Sequence, residues 1–266
     1  MYKMGDIMKG VVYYFSGTGN TKWAVDKFKM YFNKYGIDLD SINLEKVGFT
    51  ENQYDFLIIG TPIYFDDTPR IINKFVNALP ESHNKINCII FATNTWGNSA
   101  ALDLLGKRMK KKGYNLISQV NIMMPANLKF KSKVEVFKDK TSIKTLTSAA
   151  NKIKGVVKDF LVDRSNIEST SRRQVYIKKV KDMVSNYKKK NLVKYLKSTD
   201  RCTSCGVCLR NCPCSNITLN NGQVVFHSNC IMCMRCMCIC PQESITFKGY
   251  RLARNKKLVV RNLNIV

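Results

Sequence analysis

The chain has 266 residues and a formal net charge of +25, from 44 lysines and arginines against 19 aspartates and glutamates. That length has room for one large or two ordinary domains, and no apolar stretch reaches the ~20 residues needed to span a bilayer. Ten of the eleven cysteines fall between residues 202 and 240, which marks a metal module and argues against a secreted disulfide scaffold, whose pairs would be spread out.

Residues 10–15 (GVVYYF) are a short apolar run, the pattern of a buried parallel strand. The run is too short for a signal peptide and leads straight into a glycine loop, so a reducing, cytoplasmic setting is expected. The loop is Ser16-Gly17-Thr18-Gly19-Asn20-Thr21, and residues 22–35 after it have helical character. Strand, Gly/Ser/Thr loop and helix N-terminus together make an anion site. Glycines let backbone N–H groups approach phosphate, hydroxyls add donors, and the helix dipole favours negative charge. Neither G-x4-G-K-[ST] nor G-x-G-x-x-G is met, because Lys22 stands where a third glycine would be.

Residues 37–43 suit a second strand at the sheet edge, and residues 54–60 (YDFLIIG) a buried one. The latter ends in the loop Thr61-Pro62-Ile63-Tyr64-Phe65-Asp66-Asp67-Thr68-Pro69, and a helix over 70–79 stops before Pro80. Residues 86–93 form another buried strand that closes on Asn94-Thr95-Trp96-Gly97-Asn98. A helix over 99–112 ends at Gly113, and residues 114–124 supply a fifth strand. Alternating βα units with apolar strands predict an α/β fold, a doubly wound parallel five-stranded sheet with helices on both faces. Ligands of such sheets bind beyond the carboxyl ends of the strands, where the three quoted loops sit. Cys88, inside an apolar strand, is expected in the core. Residues 125–136 carry little signal, 141–161 and 174–197 have lysine-rich helical periodicity, and 163–173 between them look like a polar loop.

The cysteines then take over. Cys202, Cys205, Cys208 and Cys212, followed by Pro213, spell C-x2-C-x2-C-x3-C-P, and Cys230, Cys233, Cys236, Cys240 and Pro241 repeat it. Thiolates suit Fe–S iron, four of them close one cubane, and in two-cluster chains the fourth cysteine of a run serves the other cluster. The expected sets are therefore Cys202, Cys205, Cys208 and Cys240 for one [4Fe–4S] cluster, and Cys230, Cys233, Cys236 and Cys212 for the other. Zinc sites also use C-x2-C pairs, but need neither a third cysteine at that spacing nor a fourth followed by proline. Cys214 and Cys238 fall outside both patterns, although Cys238 stands two residues from Cys236 and from Cys240, which leaves ligand swapping open. Gly206 fits a tight turn over a cluster, and Ile231, Met232, Met234 and Met237 would shield iron from water. His227, three residues before the second run, is a poor ligand candidate. A basic tail from residue 250 contains an LVV run that could add a strand.

Residues 200–249 resemble the bacterial two-cluster ferredoxins. Residues 8–160 resemble the flavodoxins, most specifically in the loop at 16–21, which in that family holds the terminal phosphate of FMN. Flavodoxins usually carry an acidic residue after this loop, and Lys22 departs from that. By the same likeness the loops at 61–68 and 94–98 would sandwich the isoalloxazine ring. Tyr64 and Trp96 are the stacking candidates, with Phe65 as a substitute for Tyr64. Backbone amides of Gly97 and Asn98 would meet the polar edge of the ring.

Joined, the modules resemble the flavodoxin–ferredoxin fusion proteins of anaerobes, the ferrodoxin family. The implied division is a flavodoxin-like domain (1–163), a basic helical connector (164–199), a small α+β two-cluster ferredoxin domain (200–249) and a tail (250–266). The implied function is electron transfer between FMN, two [4Fe–4S] clusters and partner proteins. The alternative is an FMN-dependent reductase of a small acceptor, with a pocket roofed by residues 125–140. No NAD(P) domain and no catalytic acid–base pair is evident, so electrons are expected from another protein, a ferredoxin or an iron–sulfur oxidoreductase. The high positive charge then reads as a docking surface for an acidic redox partner, or as a plain solvated lysine surface. Scattered lysines without a recognition motif argue against nucleic acid. The oligomeric state is not legible.

Overall fold

The structure is a computed structural model that describes residues 8–45, 53–95, 97–130, 139–178, 180 and 192–254. The chain folds into two compact units, Met1–Ser16, Asn20–Pro125 and Ile143–Tyr176 in the first, Gly17–Gly19, Ala126–Ser142 and Ile177–Val266 in the second.

The first unit is built on β1 (Lys9–Tyr14), α1 (Asn20–Asn33), β2 (Asp38–Asn43), β3 (Phe56–Pro62), α2 (Arg70–Ala78), β4 (Asn87–Asn94), α3 (Ala100–Lys111) and β5 (Asn115–Met123). The strand order β2-β1-β3-β4-β5 is the flavodoxin-like doubly wound order, and every pairing in it is parallel. Burial explains the apolar runs: β3 is buried at every position and β1 at all but the first, as a sheet covered on both faces requires. Alternate residues serve opposite faces. Val12, Tyr14, Phe56, Ile58 and Phe91 pack with Phe28 and Phe32 of α1 and with Phe160. On the other face Tyr13 stacks against Phe75 of α2, with ring centroids 4.6 Å apart.

Two glycines make that layer possible. Gly10 is the register partner of Phe56 and Gly60 of Phe91. A Cβ at either would come within 2.2 and 2.5 Å, respectively, of the partner's ring. The rings lie across strand positions that have no side chain.

A sixth strand extends the expected five. Asn166–Ile167 pairs in parallel with Ser118 and Gln119 of β5, within a stretch that reads as loop in the sequence. Two residues carry no hydrophobic period, and side-chain bonds hold this edge. Gln119 Nε2 donates to Asp103 Oδ1 and to Glu168 O, both at 2.7 Å. Thr170 N donates to Asp103 Oδ2 at 2.9 Å, and the Thr170 hydroxyl also donates there. Between β5 and this edge strand in the chain comes the long helix Asp139–Leu161, whose Ile153, Val156 and Val157 join the core.

The second unit contains a repeat with an offset of 28 residues, Cys202 to Cys230. Strand Leu196–Ser198, the first cysteine run, helix Val207–Arg210 and strand Ile217–Asn220 recur as Gln223–Phe226, the second run, helix Arg235–Ile239 and Ile245–Phe247. The strands pair crosswise and antiparallel, 217–220 with 223–226 and 245–247 with 196–198. The repeat extends to single dihedrals. Ser204 and Met232, Gly206 and Met234, and Ser215 and Glu243 all have positive φ. Each run therefore turns the same left-handed corners to present its cysteines. In the same unit Leu252–Arg254 pairs with Leu128–Phe130, a strand in a segment without sequence signal. Half of the expected helix at 174–197, and the LVV run of the tail, lie outside the described residues; Val193–Tyr195 form a 3-10 turn and Leu196–Ser198 a strand, so the helix does not run to 197.

Candidate functional site

In the first unit the carboxyl ends of β1, β3 and β4 bring forward the loops expected to bind a ligand. Ser16 is buried, and its Oγ accepts from Lys22 N at 3.2 Å, tying the loop to the first turn of α1. Thr21, also buried, hydrogen-bonds through its hydroxyl to the Thr93 hydroxyl at 2.8 Å. Gly19 has φ +104, which calls for glycine. Asn20 Nδ2 donates to Pro125 O at 3.1 Å, while its Oδ1 is buried without a partner among the described residues. Lys22 pairs with Asp26 at 2.8 Å one turn along the helix, so its charge is partly answered on its own surface. Thr18, grouped with the second unit, receives Asn127 Nδ2 on its hydroxyl at 2.7 Å.

The loop after β3 is a tight hairpin. Tyr64 and Asp67 exchange backbone hydrogen bonds at 2.9 and 3.0 Å, and Phe65 and Asp66 between them have φ +50 and +59. Both central residues at positive φ define a type I′ turn, and a bulky residue there is rare. The turn leaves Phe65 50% exposed while Tyr64 is half-buried, edge-on to Phe15. Ser99 Oγ donates to Asp66 Oδ1 at 3.1 Å and fixes the tip. Thr61 is fully buried, its hydroxyl donating to Pro62 O at 2.9 Å, and Ile63 N donates to Thr93 O at 3.1 Å.

In the loop after β4, Asn94 Oδ1 accepts from Gly97 N at 2.7 Å and Asn94 Nδ2 donates to Asn121 Oδ1 at 3.2 Å. The Gly97 amide is thus used within the loop. Thr95 and Asn98 are exposed. Trp96 and residues 131–138 of the expected roof lie outside the described residues. Below these loops, burial and then the carboxylates of Asp26 and Glu45 push the Tyr14 phenol up to about 12. Cys88 is fully buried, and burial raises its thiol.

Among the described residues of the second unit the cysteines divide between two pockets. Cys202, Cys205, Cys208 and Cys240 line one. Cys212, Cys230, Cys233 and Cys236 line the other, with Cys214 also on its wall. The fourth cysteine of each run thus lies with the first three of the other run. Burial, then Cys240 and Cys202, push the Cys208 thiol up to about 11. Burial pushes Cys233 up to about 12, with Cys230 and Cys212 adding to it. Cys236 is held well above the ordinary thiol value by burial and by Cys233, Cys230, Cys212 and, across the division, Cys208. Metal-free, these thiols keep their protons, and a metal must displace them.

Among the described residues no group of His, Cys, Asp or Glu converges tightly enough for a single metal ion. Backbone N–H groups already point at sulfur: Asn216 N to Cys212 Sγ (3.3 Å), Met232 N to Cys230 Sγ (3.3 Å) and Ser244 N to Cys240 Sγ (3.4 Å). This donor set suits Fe–S sulfur, which takes N–H hydrogen bonds. Cys238 is fully buried and lines neither pocket. His227 Nε2 bonds the Thr218 hydroxyl at 2.8 Å. Sequence reasoning missed Arg235. It is 8% exposed, and within the second unit it donates Nε to Gly17 O at 2.8 Å and a guanidinium N–H to Asn211 O at 3.1 Å.

No family model matches the chain, and no curated protein matches it. Solved structures do resemble it. A flavodoxin from the domain Archaea aligns at 16% identity, covering 57% of this chain and 98% of its own, with a TM-score of 0.41. A Fusobacterium nucleatum flavodoxin mutant bound to flavin mononucleotide aligns at 14% identity over 58% of this chain and 96% of its own, TM-score 0.42. The rubredoxin oxygen:oxidoreductase of Desulfovibrio gigas aligns at 14% identity over 56% of this chain and 37% of its own, TM-score 0.39. The strand order, rather than the degree of these likenesses, defines the first unit as an α/β flavodoxin-like fold.

Proposed function

We propose that this chain is an electron-transfer protein that binds FMN at the carboxyl edge of its sheet and two [4Fe–4S] clusters in its cysteine pockets. The observation that carries the reading is the division of eight cysteines into two fours, each drawn from both runs. Between them the groups would supply one- and two-electron chemistry, and the protein the orientation and water exclusion. Ser16, Asn20 and the first-turn amides of α1 would hold the flavin phosphate. The orphaned Asn20 Oδ1 fits an acceptor awaiting a ligand or solvent hydroxyl. Phe65, exposed on a turn fixed by Ser99, would cover the ring, with Tyr64 behind it. The thiolates would hold iron, while Met232 and Met237, both 4% exposed, keep water away.

The net charge of +25 favours an acidic protein partner over a small neutral substrate. Anaerobic purification followed by iron, sulfide and flavin analysis tests the reading. About eight irons and one FMN per chain are expected from two cubanes and one flavin site. Four irons, zinc, or no flavin would overturn it.

A further inference from the structure

The two halves of the cysteine repeat part company at one position on the pocket walls. Four residues past the last cysteine of each run stand Asn216 and Ser244, equivalent under the 28-residue offset. They are 1% and 2% exposed, and each gives its backbone N–H to the sulfur of its run's last cysteine, Cys212 and Cys240 respectively. The Ser244 hydroxyl also lies 3.2 Å from Cys240 Sγ, on the wall of the first pocket. Asn216 lines the second pocket beside Cys212, Cys230, Cys233 and Cys236, and both polar atoms of its side chain are buried without a partner among the described residues.

A buried amide is normally hydrogen-bonded, and an orphaned one calls for an explanation. The wall it shares carries five cysteines, Cys212, Cys214, Cys230, Cys233 and Cys236, among apolar side chains and Arg235. An apolar residue would fill the position without the desolvation cost of an amide. What a primary amide adds is an N–H₂ donor, and sulfur is an acceptor for it.

We infer that Asn216 donates a side-chain hydrogen bond to sulfur of the centre held in the second pocket and thereby sets its potential apart from that of the first. The inference rests on the proposed cluster reading. Reduction makes a cluster more negative, donors to its sulfurs stabilise that state, and the potential rises. Ser244 does this for the first centre through a hydroxyl on one thiolate. Asn216 does it for the second through a different group, so the two centres of a sequence-symmetric module become electronically unequal.

The test is a potentiometric titration of the full chain followed by EPR, on wild type, Asn216→Ala and Asn216→Ser, with iron and sulfide measured on each. Asn216→Ala is expected to lower the midpoint of one centre only, by up to tenfold in its reduced-to-oxidised ratio, ~59 mV for one electron, at unchanged iron content. Asn216→Ser, which keeps a donor, should recover part of the shift, and it is read alone if the alanine variant loses iron. Unchanged midpoints at full iron, or equal shifts at both centres, would overturn the inference. A wild-type chain that binds no cubanes would instead overturn the reading beneath it.

Discussion

At Gly60 the first atom of a side chain has nowhere to go. Its Cβ would lie 2.5 Å from the Phe91 ring, which occupies the neighbouring strand's matching position. Gly60→Ala should therefore cost about 1–3 kcal/mol in urea unfolding, and pairing it with Phe91→Leu should return much of that loss. A cost that Phe91→Leu does not relieve would place the clash elsewhere. Cys240 makes the matching case in the second unit. It follows the second cysteine run yet lines the pocket of Cys202, Cys205 and Cys208. Cys240→Ser is expected to damage the centre built by those three and to spare the other, as read by EPR of the reduced chain. Loss of the Cys230–Cys236 centre instead would refute crossed ligation.

Among the elements, the two-residue edge strand Asn166–Ile167 shows how polar groups build structure where apolar pattern is absent. The buried carboxylate of Asp103 collects Gln119 Nε2, Thr170 N and the Thr170 hydroxyl, binding α3, β5 and the segment after the edge strand. Hydrogen bonds to a charged group are worth about 1.5–3 kcal/mol each in deletion experiments. Asp103→Ala should destabilise the first unit by at least that much and speed amide exchange at residues 166–170, leaving iron content unchanged. Normal exchange there would mean backbone pairing alone holds the edge. The second unit uses a different device, the duplicated left-handed corners at 204 and 232, 206 and 234, and 215 and 243. Glycine serves one of these six positions. At Met234 the same corner is turned by a residue for which it is strained, next to cysteines on the pocket wall.

For the whole molecule, proton linkage gives a testable signature. Tyr14 and Tyr114 are both pushed up from 10 to about 12, chiefly by burial. A phenol whose folded value is raised contributes stability that is complete below its unfolded value, about 10, and is lost as pH rises through 12. Burial raises the Cys88 thiol too, from an unfolded value near 9, so unfolding free energy should begin to fall near pH 9 and fall further between 10 and 12 as the tyrosines join. Tyr14→Phe should flatten that slope by one tyrosine's share; an unaltered slope would mean Tyr14 ionises freely in the folded chain.

Much of this protein was legible as pattern. Apolar runs of strand length, separated by helices and ending in small or polar loops, specify a parallel α/β sheet because both faces must be buried. The duplicated cysteine spacing points to two sulfur-lined sites because three cysteines of each lie within a few residues of one another, while the fourth comes from the other run. What pattern could not carry is whatever depends on neighbours distant in the chain. Asn166–Ile167 is a strand only beside β5, where the adjoining Glu168 accepts from Asn121 N and Asp103 of α3 accepts from Thr170 N. Phe65 rather than Tyr64 is the exposed aromatic because a type I′ turn rotates it outward. Gly97 spends its amide on Asn94. Asn216 differs from Ser244 in the sequence itself, but only folding shows that its amide is buried, unpaired among the described residues and on a pocket wall that carries five cysteines. Hydrophobic period is a local quantity, whereas hydrogen-bond partnership is decided when the chain closes on itself.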